Sequence, residues 1–286
     1  MEKITARVGV IGGSGVYEMN ALTNKRILQI DTPWGRPSDE ILIGEIDGVS
    51  VAFIPRHGRG HFLSPSQVPY LANIYALRSL GVHHVVAATA VGALKESTPP
   101  GTFVFIDQYI DRTNYRLQTF FSDGIVAHVP MANPICSEMV NVLYKHAKHL
   151  DLKCSFGGTY ICMEGPQFST RAESELYRTW GGDVIGMTNM TEAKLSREAG
   201  MSFASIAMVT DYDCWHPNHS DVDVQQILAT ATKNAEDVTG LLEVALPQIG
   251  RLGDSPWRDV LKTAIMTSKE KWPEAAIRDL KALLPQ

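Results

Sequence analysis

The chain has 286 residues, 44% of them hydrophobic, and a formal net charge of −5 at neutral pH. It can therefore bury a sizeable core, but it offers no electrostatic footprint for nucleic acid or an anionic membrane. No apolar run approaches the ~20 residues of a membrane span, and Met1 to Ala6 lack the apolar core of a signal peptide. Cys136, Cys154, Cys162 and Cys214 have no Cys-x-x-Cys spacing, so they form neither a zinc nor a redox motif. Reduced thiols in a cytoplasmic protein are expected.

The first predicted strand, Arg7 to Ile11, runs into Gly12-Gly13-Ser14-Gly15. Glycines let backbone N–H groups approach an anion, and a hydroxyl adds a donor. A plain tight turn explains the same residues. The third glycine of the dinucleotide fingerprint is missing, and no Lys follows to make a triphosphate-binding loop. A turn-rich loop over Thr32 to Ser38 precedes a hairpin, with strands Ile41 to Ile46 and Val49 to Ile54 joined by Asp47-Gly48. The second strand ends in Pro55-Arg56-His57-Gly58. Arg56 could grip an oxyanion through its planar fork, or the pair could serve a surface ion pair.

Pro65 to Leu80 has helical spacing. Val85 to Ala90 reads as a buried strand closing on Val91-Gly92-Ala93-Leu94, with the Thr89 hydroxyl at its end. Thr102 to Ile110 reads as one strand. Asp111 to Met131, which carries His128, reads as a long loop of the kind compact domains keep for function. Pro134 to Leu150 is an amphipathic helix, and Gly158 to Met163 is a strand leading into Glu164 to Ser169. Ser169 is taken as the cap of a helix from Arg171 to Trp180. A short strand, Val184 to Thr188, and a helix opening at Thr191-Glu192 follow.

Ser205 to Met208 reads as a strand buried on both faces, and it delivers Asp211 and Asp213 to its end. In open α/β sheets, ligands bind at that end. Carboxylates there can accept from an amino group or, protonated, donate to a ring nitrogen. They equally suit capping of the next turn. Val222 to Leu246 is a long helix ended by Pro247. Two more helices are predicted near Trp257–Thr267 and Pro273–Leu284. The alternation predicts an α/β fold: a single domain over residues 1–250, built on a twisted mixed β-sheet flanked by helices. Residues 251–286 are expected to form a helical appendage packing on it.

Taken together, Gly12-Gly13-Ser14-Gly15, Arg56-His57-Gly58, Ala88-Thr89-Ala90-Val91-Gly92, Glu164 to Ser169, Met187-Thr188 and Thr210 to Trp215 resemble the 5′-methylthioadenosine phosphorylases. These belong to the purine nucleoside phosphorylase superfamily, and the resemblance covers roughly residues 7–250. It implies a nucleoside phosphorylase-like homotrimer in which phosphate cleaves 5′-methylthioadenosine to adenine and 5-methylthioribose 1-phosphate. It places phosphate against Ser14, Arg56, His57, Thr89, the Ala90 amide and Thr188, and Met187 against the ribose. Phe168, Ser169, Asp211 and Asp213 would border the base, with Asp211 as the catalytic acid. Val224, Ile227 and a neighbouring subunit's His128 would form the 5′-alkylthio pocket.

No cofactor or metal is implied; inorganic phosphate is a co-substrate. Ser169 and Asp211 stand where relatives specific for 6-oxopurines carry Glu and Asn, which suits a 6-aminopurine. Ser14 and Val91 replace the Thr and Cys frequent in the family. Either Met266 or Leu283 could close the 5′ pocket from the tail. Rival readings are adenosine as main substrate, a nucleosidase that uses water, and a non-enzymatic nucleotide-binding module.

Overall fold

The computed structural model describes residues 4–13, 19–218 and 224–285, without the side chains of residues 224–226, 228 and 229. The chain begins with β1 (Val8–Gly12), β2 (Thr23–Leu28) and the hairpin β3 (Ile41–Ile46) and β4 (Val49–Pro55). Helix α1 (Tyr70–Ser79) leads to β5 (His84–Ala93), β6 (Phe103–Phe105) and β7 (Gln108–Arg112). Then come α2 (Ser137–His149), β8 (Cys154–Phe156), β9 (Thr159–Met163), α3 (Arg171–Thr179), β10 (Val184–Gly186) and α4 (Asn189–Glu198). The rest comprises β11 (Ser202–Asp211), α5 (Val224–Gly250), α6 (Leu261–Ala264) and α7 (Glu274–Asp279).

Strand β5 is the hub of the mixed sheet. It pairs in parallel with β1, from Val8↔His84 to Ile11↔Ala87, and with β11, from Ser202↔His84 to Asp211↔Gly92. Strand β4 joins β1 in parallel on the far side. These four strands all run the same way, so Gly12, Pro55, Ala90 and Asp211 arrive at one edge of the sheet. Their residues are small, apolar and buried because helices cover the sheet. Helices α1 and α4 pack together, as do α2 and α5. Beyond this centre, β10 meets the end of β5 antiparallel through Ile185↔Gly92 and continues in parallel to β9 and β7.

The predicted hairpin is present, and Asp47 (φ 48°) and Gly48 (φ 75°) both adopt the left-handed conformation that a two-residue turn between strands demands. Elsewhere local geometry changes the boundaries. The single strand expected over Thr102 to Ile110 is two, because the chain turns at Asp107, whose N–H donates to Gly158 O and whose carboxylate accepts from Gly158 N. Helix α1 starts only after Pro69, which has no N–H to give a preceding turn. Helix α5 does not stop at Pro247 but runs three residues on to Gly250. A proline in the last turn removes one hydrogen bond from a helix anchored by buried Leu242, Leu246 and Ile249. The two tail helices shrink to Leu261–Ala264 and Glu274–Asp279.

The cap of α3 is Thr170 and not Ser169. Thr170 Oγ1 accepts from Glu173 N at 3.3 Å, and Glu173 Oε2 accepts from Thr170 N at 2.8 Å, a reciprocal capping box. Ser169 is thereby released from a structural duty. Thr170→Ala should lower unfolding stability by about 1 kcal/mol, whereas Ser169→Ala should change it by less than ~0.5 kcal/mol, as read by urea denaturation.

Candidate active site

Strand β11 carries Asp211 at its last position, just past an irregularity in its pairing with β5 between Val209 and Asp211. Asp211 Oδ1 accepts from Asp213 N at 2.7 Å, and Oδ2 lies 2.7 Å from Thr210 Oγ1. Thr210 Oγ1 is also 3.2 Å from Val91 O. One hydroxyl proton cannot serve both acceptors, so when it points to Val91 O the oxygen can accept from a protonated Asp211. Burial pushes the Asp211 carboxyl above the usual carboxylate range, against the bonds from Thr210 and Asp213 N. Asp213 is buried, with φ 53°, and its Oδ2 has no hydrogen-bond partner among the described residues. Burial first, and then the charge of Asp211, push its pKa up to about 6, against the neighbouring hydroxyls of Ser174 and Ser169. The segment is tied back to β5 by the Trp215 indole, which donates to Ala93 O at 2.7 Å.

Gly92 makes this placement possible. A Cβ there would stand 2.9 Å from Asp211 Oδ1 and 3.3 Å from Asp213 Cβ. Three residues upstream is Thr89, and a strand rise of about 3.3 Å per residue puts the two about 10 Å apart along the strand.

Toward the same end of the sheet lie Arg56, His57, Thr89, Ala90 and, at the start of α4, Thr188. Arg56 follows β4, and its N–H donates to Gly12 O. Its fork turns inward and is buried. Nε and Nη2 bind Glu192 at 2.5 and 3.0 Å, Nη1 donates to Ala88 O and Nη2 to Ile11 O. Burial works to lower the pKa of the guanidinium, but the Glu192 carboxylate more than offsets it and the net shift is upward. His57 donates from Nδ1 to Leu63 O at 2.8 Å and stacks on His61 with centroids 4.2 Å apart. Burial and then the charge of Arg56 hold its pKa down to about 4, so the ring is neutral at pH 7 with Nε2 as acceptor. Thr89 is buried, and Ala90 is the one exposed residue of β5. Thr188 occupies the cap position of α4 yet makes no side-chain cap bond, which leaves its buried hydroxyl for another partner.

The walls of the site come from loops. Met187 is half-buried beside Gly165, whose φ of 68° and close approach exclude a side chain: a Cβ would meet Met187 Sδ at 2.5 Å. Arg116, from the long loop, reaches under both, donating to Met187 O and Glu164 O and pairing with the Glu164 carboxylate. Ser169 is half-buried, and its carbonyl accepts from Cys214 Sγ, which places it against the acid pair. Phe168 is 45% exposed. Ser14 lies outside the described residues, as does the side chain of Val224; Ile227 is half-buried. His128 is exposed, and its N–H donates to Ala264 O. Beside it, Ala127 bridges to Ile265, and Met266 N donates to Val126 O. Met266 is 69% exposed, whereas Leu283 is buried in the core. Among the described residues no cluster of three or more His, Cys, Asp or Glu could hold a metal ion, and no helix is long and apolar enough to cross a membrane.

The sequence reading missed Glu192, Arg116 and the steric demand on Gly92. Glu192 had registered only as part of a helix start, and Arg116 as one loop residue among many. Their partners lie 136 and 48 residues away, beyond any local pattern.

Residues 7–246 match the family model of the phosphorylase superfamily. The chain is 47% identical to the S-methyl-5′-thioadenosine phosphorylase of Koribacter versatilis, over 98% of this chain and 96% of that one. It is 54% identical to the enzyme of that name from Cereibacter sphaeroides, over 86% and 84%. A crystal structure of a methylthioadenosine phosphorylase from an Antarctic soil metagenomic library superposes with a TM-score of 0.95 at 48% identity, covering 99% of this chain and 100% of that one. The Schistosoma mansoni methylthioadenosine phosphorylase in complex with adenine gives 0.86 at 34% identity, covering 91% and 99%. The chain belongs to the phosphorylase superfamily and, within it, to the S-methyl-5′-thioadenosine phosphorylases.

Gly92→Ala should displace the Asp211 carboxylate and lower kcat/KM for nucleoside phosphorolysis by on the order of 10²-fold. Circular dichroism of the variant should remain that of the parent.

Proposed function

We propose that this site performs the phosphorolysis of 5′-methylthioadenosine, giving adenine and 5-methylthioribose 1-phosphate. The observation that carries the reading is a buried acid pair, with one carboxylate oxygen of Asp213 unpartnered among the described residues, at the same end of the sheet as a buried arginine and buried threonine hydroxyls. The base sits against Ser169 and Phe168. Asp213 accepts from its 6-amino group, and Asp211, protonated, donates to N7. Phosphate binds at Ser14, Arg56, His57, Thr89, the Ala90 amide and Thr188, and Met187 lies against the ribose.

The glycosidic bond stretches first, leaving a cationic sugar and a purine that gathers negative charge. Asp211 meets that charge at N7, where a preorganised donor contributes most in the transition state. Phosphate then captures the anomeric carbon from the opposite face. The reaction needs no cofactor.

His128 reaches the 5′ pocket of a neighbouring copy in a homotrimer, beside Val224 and Ile227. Met266 suits the closing role better than Leu283, being exposed on the same small ladder as His128. The reduced cysteines are consistent with a cytoplasmic enzyme. Adenosine is the second reading, because a structural neighbour from Schistosoma mansoni is described as an adenosine/methylthioadenosine phosphorylase.

Adenine release from methylthioadenosine should require phosphate. Inosine should react with a kcat/KM lower by ~10⁴, since its 6-oxo group would leave buried polar groups unpaired. Release without phosphate, or comparable rates with inosine, would overturn the assignment. The pH profile adds a check. Asp213 loses its charge, and with it the charged acceptor for the amino group, as pH falls through about 6. The kcat/KM for the nucleoside should therefore decline on the acid side of about pH 6, with an apparent pKa that belongs to the pair.

A further inference from the structure

Glu192 is 1% exposed and Arg56 3%, so their ion pair is fully enclosed. The carboxylate spans the guanidinium, taking Nε at 2.5 Å and Nη2 at 3.0 Å, and its Oε2 also accepts from Asn189 Nδ2 at 3.1 Å. Asn189 is held in turn by the Tyr109 hydroxyl at 2.5 Å. With Nη1 on Ala88 O and Nη2 also on Ile11 O, four of the five N–H donors of an arginine are committed among the described residues. Among the described residues one Nη1 N–H is left without an acceptor, and it is available to an anion.

The other charges at this edge are balanced in the same way. Arg116 is paired with Glu164, and His57 is neutral. The phosphate site thus has hydroxyls, amides and one guanidinium N–H, but almost no net charge.

We propose that Glu192 is a positioning residue that neutralises Arg56, so that bound phosphate keeps the negative charge it must present to the cationic sugar in the transition state. An unpaired Arg56 would hold ground-state phosphate more tightly and screen that charge when it is needed. Tighter ground-state binding without a matching gain in the transition state slows turnover. The proposal rests on the reading of Arg56 as a phosphate ligand.

The test is steady-state kinetics of Glu192→Gln, which removes the charge at nearly constant shape. KM for phosphate should fall by about tenfold and kcat by about tenfold, with KM for methylthioadenosine changed less than ~2-fold. A side chain serving only the packing of α4 would not tighten phosphate binding. Phosphate should also raise the Tm of the variant more than that of the parent, by linkage. Glu192→Asp keeps the charge but withdraws it by one methylene, so KM for phosphate should fall by only about two- to threefold. It carries the test if Glu192→Gln does not fold.

An unchanged or raised KM for phosphate in Glu192→Gln, or in Glu192→Asp if only that variant folds, overturns the proposal. Arg56→Ala separates the two layers. If it leaves KM for phosphate unchanged, Arg56 is no phosphate ligand and both readings fall. If it raises KM while the Glu192 variants do not lower it, only the role of Glu192 falls.

Discussion

The parallel alignment of β1, β4, β5 and β11 is the constraint from which the site follows. Each backbone group in these buried strands finds its partner only in one register, and that register brings four carboxyl ends to a common edge. The end of β1, the arginine after β4, the hydroxyl of β5 and the acid of β11 are neighbours because the ladder makes them so. A slip of one residue in β11 would turn Asp211 to the opposite face. Gly92 reinforces the same constraint from the adjacent strand, since it leaves the space that the acid pair fills.

Charge is handled differently at the two ends of this edge. Arg56 and Arg116 are both deep and both matched by a glutamate, so their burial leaves no isolated charge. No lysine or arginine is paired with Asp211 or Asp213 among the described residues, and burial raises both pKa values. In the proposed reaction, which sends positive charge to the sugar and negative charge to the base, a charge-balanced arginine would suit the first end and an acid pair with raised pKa values the second. Arg116 ties Met187 to Glu164, since it donates to the main-chain carbonyl of each.

The buried strands, the Asp47-Gly48 hairpin and the long helices could be read directly, because each rests on local periodicity or turn chemistry. The six ordered motifs carried the family. The exposed edge strand β2 and the three-residue β8 had no such signal: their residues are polar or few, and only pairing partners make them strands. The cap of α3 was misplaced by one residue although Thr170-x-x-Glu173 stood in the sequence, because Ser169 is an equally good cap by type. Arg56 can be placed at the end of its strand from the sequence, but the orientation of its fork cannot. Glu192 decides which way its fork points, and that contact joins a strand end to a helix far along the chain.

Val126 to His128 and Ala264 to Met266 are held side by side through main-chain bonds, with Ala127 opposite Ile265. The joint between loop and tail therefore rests on main-chain bonds and on Thr267, whose Oγ1 accepts from Val126 N. Val126, His128 and Met266 can be exchanged without loosening it, while the strands that carry the proposed chemistry lie elsewhere. In the proposed trimer, lineages of this enzyme could diverge in the substituent they tolerate on the sugar by altering a short exposed seam, and inherit the bond-breaking apparatus untouched.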